Sequence, residues 1–182
     1  TEDSIVANKQ AIKLKPDCAD AWYNLGVCYG NTGRTEEEIA AYRQAIKLKP
    51  DYVEAWYNLG VSYRKAGGTE DAIVAYKQAI KLKPDFAEAW YNLGVCFSAA
   101  GRTDDAIAAC KQAIKVKPDY VEAWYNMGFT YGEAGHTEEA IDAYKQAIKL
   151  KPDHVDAWYN LGVNYRRVRR TEDAADAFQH AR

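Results

Sequence analysis

An all-α solenoid of stacked helix pairs is the fold class that this 182-residue sequence predicts, on three observations. Tryptophans stand at Trp22, Trp56, Trp90, Trp124 and Trp158, each 34 residues after the last. Prolines at Pro16, Pro50, Pro84, Pro118 and Pro152 keep the same step. Within each unit, apolar residues recur twice at the spacing of an amphipathic helix. Chance does not place two rare residue types on one period along a whole chain. A fixed period of this length marks a supersecondary unit that buries its apolar face against copies of itself.

The unit at 51–84 shows the elements in order. Asp51, directly after Pro50, is placed to cap a first helix, and Glu54 completes a capping box. Trp56, Leu59 and Tyr63 form its apolar stripe, and Gly67 ends it as a left-handed residue past the cap. Thr69 opens the second helix, with Glu70 and Asp71 at the positive end of its dipole. Ile73, Tyr76, Ala79 and Ile80 line one side. Lys81-Leu82-Lys83 bring cations to the negative end, and Pro84 stops the helix. Gly60 and Ala72 are expected to face each other and let the backbones approach, which must recover the ~1 kcal/mol that an interior helical glycine costs.

The same reading gives a lone second helix at 1–16, repeats at 17–50, 51–84, 85–118 and 119–152, and a shortened repeat at 153–182, all in one domain. Four positions depart from the pattern. Glu38 replaces the small residue found as Ala72, Ala106, Ala140 and Ala174, and is expected to form a capping box with Thr35 and loosen the local helix contact. Arg169 replaces the turn glycine of the last repeat, and Cys110 and Asn8 occupy aromatic positions. The chain opens and closes on second helices, so a segment of a longer array is expected. The stripe containing Phe178 would then be partly open, with head-to-tail self-association a secondary outcome.

Composition narrows the function. A formal net charge of −2 and a pI near 5.9 supply no basic field for nucleic acid or an anionic membrane surface. No apolar run approaches the ~18 residues of a membrane span, and no leader pattern is visible at the start. The four cysteines contain no Cys-x-x-Cys and lie apart from the three histidines, so reduced, packed thiols in a cytoplasmic protein are expected rather than disulfides or a metal site. No Ser/His/Asp or Cys/His pair recurs on one face and there is no glycine-rich phosphate loop. The sequence therefore predicts no enzyme and no cofactor. The acidic clusters "TED", "TEEE" and "TDD" read as helix N-termini.

Trp56, Leu59, Gly60, Tyr63, Ala72, Tyr76, Ala79 and Pro84, repeated along the whole chain, resemble the tetratricopeptide repeat family, a 34-residue helix-turn-helix unit. The resemblance implies a right-handed superhelical α-solenoid of antiparallel helix pairs, with the first helices lining its concave side.

A second face of those first helices carries the functional expectation. At about 100° per residue, Leu59 and Tyr63 fall within roughly 60° of Trp56, whereas Glu54, Tyr57, Asn58 and Val61 lie roughly 100–200° round. The row recurs as Tyr23, Asn24, Val27; Tyr57, Asn58, Val61, with Arg64 one turn on; Tyr91, Asn92, Val95; Tyr125, Asn126, Phe129; and Tyr159, Asn160, Val163. A mid-helix asparagine is about 0.6 kcal/mol worse than alanine; five cost about 3 kcal/mol against a typical total of about 5–15 kcal/mol. A carboxamide both donates and accepts, so a ladder of them can bond the main chain of an extended peptide, with Val and Phe receiving side chains. Other roles stay open: the tyrosines as spacers between first helices, the asparagines bonded to a neighbouring helix, and Asp20, Glu54, Glu88, Glu122 and Asp156 as local caps.

The asparagines are similar to the ladder in the superhelix of O-linked N-acetylglucosamine transferase, which grips peptide backbone. The family's Lys/Arg clamp for C-terminal carboxylates has Tyr and Glu or Asp at its matching positions here, so that mode is not expected. The basic run at 166–170 reads as a cationic helix end, with an acidic or phosphorylated segment as the alternative ligand. The expected partner is an extended protein or peptide segment that is not strongly acidic. A targeting arm of a larger enzyme, such as a glycosyltransferase, and a self-associating array are the alternatives.

Overall fold

The computed structural model describes residues 2–182. Among these are eleven helices and no strand: α1 (Glu2–Leu14), α2 (Ala19–Asn31), α3 (Thr35–Leu48), α4 (Val53–Lys65), α5 (Thr69–Leu82), α6 (Ala87–Ala99), α7 (Thr103–Val116), α8 (Val121–Glu133), α9 (Thr137–Leu150), α10 (Val155–Arg167) and α11 (Thr171–His180). The architecture is an α-solenoid of antiparallel helix pairs. By internal contacts the chain divides into two compact units, Thr1–Ala89 and Trp90–Arg182.

In the first unit the core runs from Ile5, Leu25, Tyr29 and Ala41 to Tyr42, Ala45, Ala55 and Leu59, with Trp22 and Trp56 packed against it. In the second, Ile141, Tyr144, Ala157, Leu161 and Tyr165 form the larger cluster, and Cys110, Met127 and Ala143 form a smaller one beside Trp124. Ala41, Ala55, Ala143 and Ala157 apart, these are the stripe positions that the helical spacing marks as inward-facing.

The shared period of tryptophan and proline has a direct cause. Four indole N–H groups donate to the carbonyl of the proline six residues before them: Trp22 to Pro16 at 3.1 Å, Trp56 to Pro50 at 2.9 Å, Trp124 to Pro118 at 3.0 Å and Trp158 to Pro152 at 2.8 Å. Proline stops the second helix, and the next tryptophan fastens the loop that follows.

Gly60 has a purpose that its spacing alone does not reveal. The nearest neighbours are ring atoms of Tyr76; a Cβ there would stand 2.7 Å from Tyr76 Cε1. Gly26 meets Tyr42, Gly128 meets Tyr144 and Gly162 meets Phe178 in the same way. The glycine is a seat for an aromatic ring from the paired helix. In the third repeat the ring is absent, and Gly94 faces the Cys110 sulfur. Burial pushes the Cys110 thiol up to about 11, away from thiolate chemistry. Cys96 is likewise buried, Cys18 and Cys28 are half-buried, and all four are free thiols. Phe178 is half-buried in its glycine seat.

The capping boxes do not form. Asp51 lies outside α4, whose N-cap is Tyr52 without a side-chain bond. The aromatic at that position is held instead by stacking, described below. Thr35 is the first residue of α3 rather than its cap, and Glu38 is buried at 5% exposure instead of reaching back to a backbone N–H. Thr69 does open α5, preceded by Gly68 as the N-cap. The turn between paired helices follows expectation: Gly67 has φ +80°, its N–H donates to Arg64 O at 3.1 Å, and Gly68 N–H donates to Tyr63 O at 2.8 Å. That is the Schellman arrangement.

Arg169 adopts the same turn with φ +62°, the one non-glycine residue with positive φ among the described residues. Its Cβ crowds the backbone there at a cost of about 1 kcal/mol. Arg169→Gly is therefore expected to stabilise the protein by about that amount, read as a higher urea midpoint at unchanged m value.

Candidate functional site

Four tyrosines of the predicted row, Tyr23, Tyr57, Tyr91 and Tyr125, are spacers that pack against the following repeat. In the first unit, Tyr23 lies between Tyr42 of its own repeat (centroids 5.7 Å apart) and Tyr52 of the next (4.9 Å). Tyr57 repeats this between Tyr76 (5.8 Å) and Phe86 (4.8 Å). In the second unit, Tyr91 packs on Tyr120 at 5.2 Å, and Tyr125 lies between Tyr144 (5.8 Å) and the stacked ring of His154 (4.9 Å). Tyr159 has Phe178 on one side at 5.6 Å and is 57% exposed. Burial raises the Tyr125 hydroxyl above its ordinary range; the Asp156 charge adds to this and the Asn160 bond opposes it.

The asparagines explain why tyrosine and asparagine travel together. Asn58 Nδ2 donates to the Tyr23 hydroxyl at 3.1 Å, and Asn160 Nδ2 donates to the Tyr125 hydroxyl at 3.0 Å, each reaching one repeat back. Asn126 turns instead to the smaller Cys110, with Nδ2 3.4 Å from its sulfur. Asn92 is buried at 8% exposure and Asn24 is exposed. The Tyr-Asn pair is thus a strut written across two repeats: the ring holds the spacing, and the amide fixes the register of the next first helix. The Asn160 carboxamide still keeps its oxygen and one N–H uncommitted, because the strut uses a single donor.

Beside the struts lie the remaining positions of the row. Val27, Val61, Val95 and Val163 are half-buried, and Phe129 is 42% exposed. Arg64 is exposed, as are Asp20, Glu54, Glu122 and Asp156, while Glu88 is half-buried. After burial, the Asp20 carboxylate is the next largest cause raising the Tyr52 hydroxyl above its usual range. In the basic run, Arg167 Nη1 donates to the Gly132 carbonyl in the last turn of α8 at 2.7 Å. Arg170 pairs with Asp173 at 2.6 Å, its guanidinium 4.4 Å from the centroid of the Tyr165 ring. Two of the run's arginines are therefore occupied within the fold. Sequence spacing could not reveal Arg167, whose partner is a backbone carbonyl 35 residues away.

No helix among the described residues is long and apolar enough to cross a membrane, and no group of three or more His, Cys, Asp or Glu among them could hold a metal ion.

Ring-seating glycines, loop-fastening tryptophans and cross-repeat struts on one period define a helical-repeat interaction scaffold. The chain belongs to the tetratricopeptide repeat family. A model described as the cilia and flagella-associated protein 70 C-terminal domain matches residues 52–182, a TPR repeat model matches 31–67, and a tetratricopeptide repeat model matches 7–40. Among solved structures, the crystal structure of MamA is 30% identical, with 86% of this chain and 92% of that chain covered and a TM-score of 0.84. YrrB, described as a TPR protein with an unusual peptide-binding site, is 22% identical over 96% of this chain and 90% of its own, with a TM-score of 0.82. Pseudomonas aeruginosa pilF is 19% identical over 90% and 76%, with a TM-score of 0.77. The last two share the fold. No curated protein matches the chain by sequence.

Proposed function

We propose that this chain binds an extended peptide segment of a protein partner along the Tyr-Asn-Val row of its first helices. In the first unit that face is Tyr23, Asn24, Val27, Tyr57, Asn58, Val61 and Arg64. In the second it is Tyr91, Asn92, Val95, Tyr125, Asn126, Phe129, Tyr159, Asn160 and Val163. The observation that carries the reading is the accessible, partly apolar character of this row: Phe129 is 42% and Tyr159 57% exposed, and the Asn160 carboxamide beside Tyr159 spends a single donor on its strut. Exposed apolar groups beside unspent donors and acceptors suit a ligand that brings both a main chain and side chains. The peptide-binding site ascribed to YrrB supports the same use of the fold. Exposed Asp20, Glu54, Glu122 and Asp156 disfavour a strongly acidic ligand.

The test must separate the strut from the ladder. Tyr23→Phe with Tyr125→Phe deletes the hydroxyls that Asn58 and Asn160 bond, yet leaves the carboxamides in place. Asn58→Ala with Asn160→Ala deletes the carboxamides. With a peptide recovered from a random display library as the probe, the asparagine pair is expected to weaken binding about tenfold, one to two hydrogen bonds at about 1 kcal/mol each. The tyrosine pair is expected to leave it within about twofold. Equal losses in both would mean that the asparagines only hold the repeats together.

A further inference from the structure

We infer that the Glu38 carboxylate receives a basic side chain of the bound peptide, arginine above lysine, an assignment that rests on the peptide-binding reading of the first helices.

The position is otherwise reserved for a methyl group. Its counterparts Ala72, Ala106, Ala140 and Ala174 are all 2% exposed or less and pack as core. Glu38 cannot pack that way, and its side chain reaches the facing helix instead. Gly30 stands where the other repeats carry Arg64, Ser98, Gly132 and Arg166, and the Glu38 carboxylate lies across it. A Cβ built on Gly30 would come within 2.7 Å of Oε1 and 3.2 Å of Oε2. Gly30 follows Tyr23 by seven residues and Val27 by three, so at about 100° per residue it continues the same face of α2. The missing side chain at Gly30 therefore opens a notch on that face, and both carboxylate oxygens lie in it.

The charge in the notch is unanswered. Glu38 belongs to no ion pair among the described residues. Arg34, the N-cap of α3, is taken: it pairs with Glu37 at 2.6 Å and Glu2 at 3.8 Å, and its guanidinium lies 4.6 Å from the centroid of the Tyr29 ring. A carboxylate this buried carries a desolvation penalty that a counter-charge offsets. The nearby N-terminus of α3 compensates in part, but a glutamine would fill the same volume without the penalty. A cation arriving with the ligand supplies what is missing. A guanidinium can bond both oxygens at once, whereas an ammonium acts as a point charge, hence the preference for arginine.

The test titrates N-acetyl-arginine amide and its neutral isostere N-acetyl-citrulline amide into the ¹⁵N-labelled chain and follows the Gly30 amide. Arginine amide is expected to give a saturable shift, at least about tenfold weaker with citrulline amide and equally weakened in Glu38→Gln, the scale of one charge-assisted hydrogen bond. Glu38→Gln is expected to keep its helical circular dichroism and to melt no lower than the parent. Equal response to the two amides, or an unchanged response in Glu38→Gln, overturns the assignment. So does a lower melting temperature in Glu38→Gln, which would reveal a structural partner for the carboxylate. Neither probe has an extended main chain, so the result is read independently of the library experiment; library peptides that bind without any basic preference would sink this inference alone.

Discussion

Trp56→Ala is expected to destabilise the protein by about 3–5 kcal/mol, the scale of losing a packed aromatic side chain. The ring packs among Tyr42, Ala45, Ile46, Ala55 and Leu59, joining the second helix of one repeat to the first helix of the next. Its indole also fastens the loop at Pro50. Trp56→Phe separates these roles: most of the apolar contact remains, and the hydrogen bond, about 1 kcal/mol, is lost. Urea unfolding followed by circular dichroism reads both. Because stability in a repeat array is a sum of repeat and neighbour-interface contributions, the alanine variant should also broaden the transition. A loss under about 1 kcal/mol for alanine would mean that the tryptophan is not a keystone of the interface.

Gly60→Val is expected to cost about 2–3 kcal/mol although valine is no worse than glycine in a helix. The new Cβ would stand 2.7 Å from Tyr76 Cε1 and 2.8 Å from Cδ1. Tyr76 has no exposure and packs on Tyr57, so its ring has nowhere to withdraw. Gly132→Ala is the control. Its nearest neighbour is Asn164 Oδ1 at 3.5 Å, an ordinary contact, and a gain of up to about 1 kcal/mol in helix propensity is expected. Two glycines in equivalent first helices should thus respond with opposite signs, measured by the same unfolding experiment. Stabilisation by Gly60→Val would show that the ring does not need its seat.

Helix pairing, core stripes and turn glycines were legible because they are periodic, and periodicity survives in one dimension. The capping box was misread because Asp-x-x-Glu after proline satisfies the local rule, while the aromatic between them, Tyr52, is claimed by Tyr23 of the preceding repeat. The ring beside Gly60 is hidden for a related reason: spacing says that a small residue faces the paired helix, not which side chain fills the gap. The Tyr-Asn row shows the reach and the limit of a sequence reading. Its spacing singles out the positions, but the bond joining Asn58 to Tyr23 spans 35 residues and follows from how repeats stack. Glu38 stands out in the sequence as an exception, whereas its notch depends on where the fold places Gly30.

The struts also bear on how such a chain can change length. Each is half encoded in one repeat and half in the next: Asn58 reaches back to Tyr23 as Asn160 reaches back to Tyr125. A block of 34 residues copied into the array would therefore arrive with a hydroxyl for its successor and an amide for its predecessor. Growth by duplication leaves no partner stranded, whereas an insertion of any other length breaks the correspondence at its own junction.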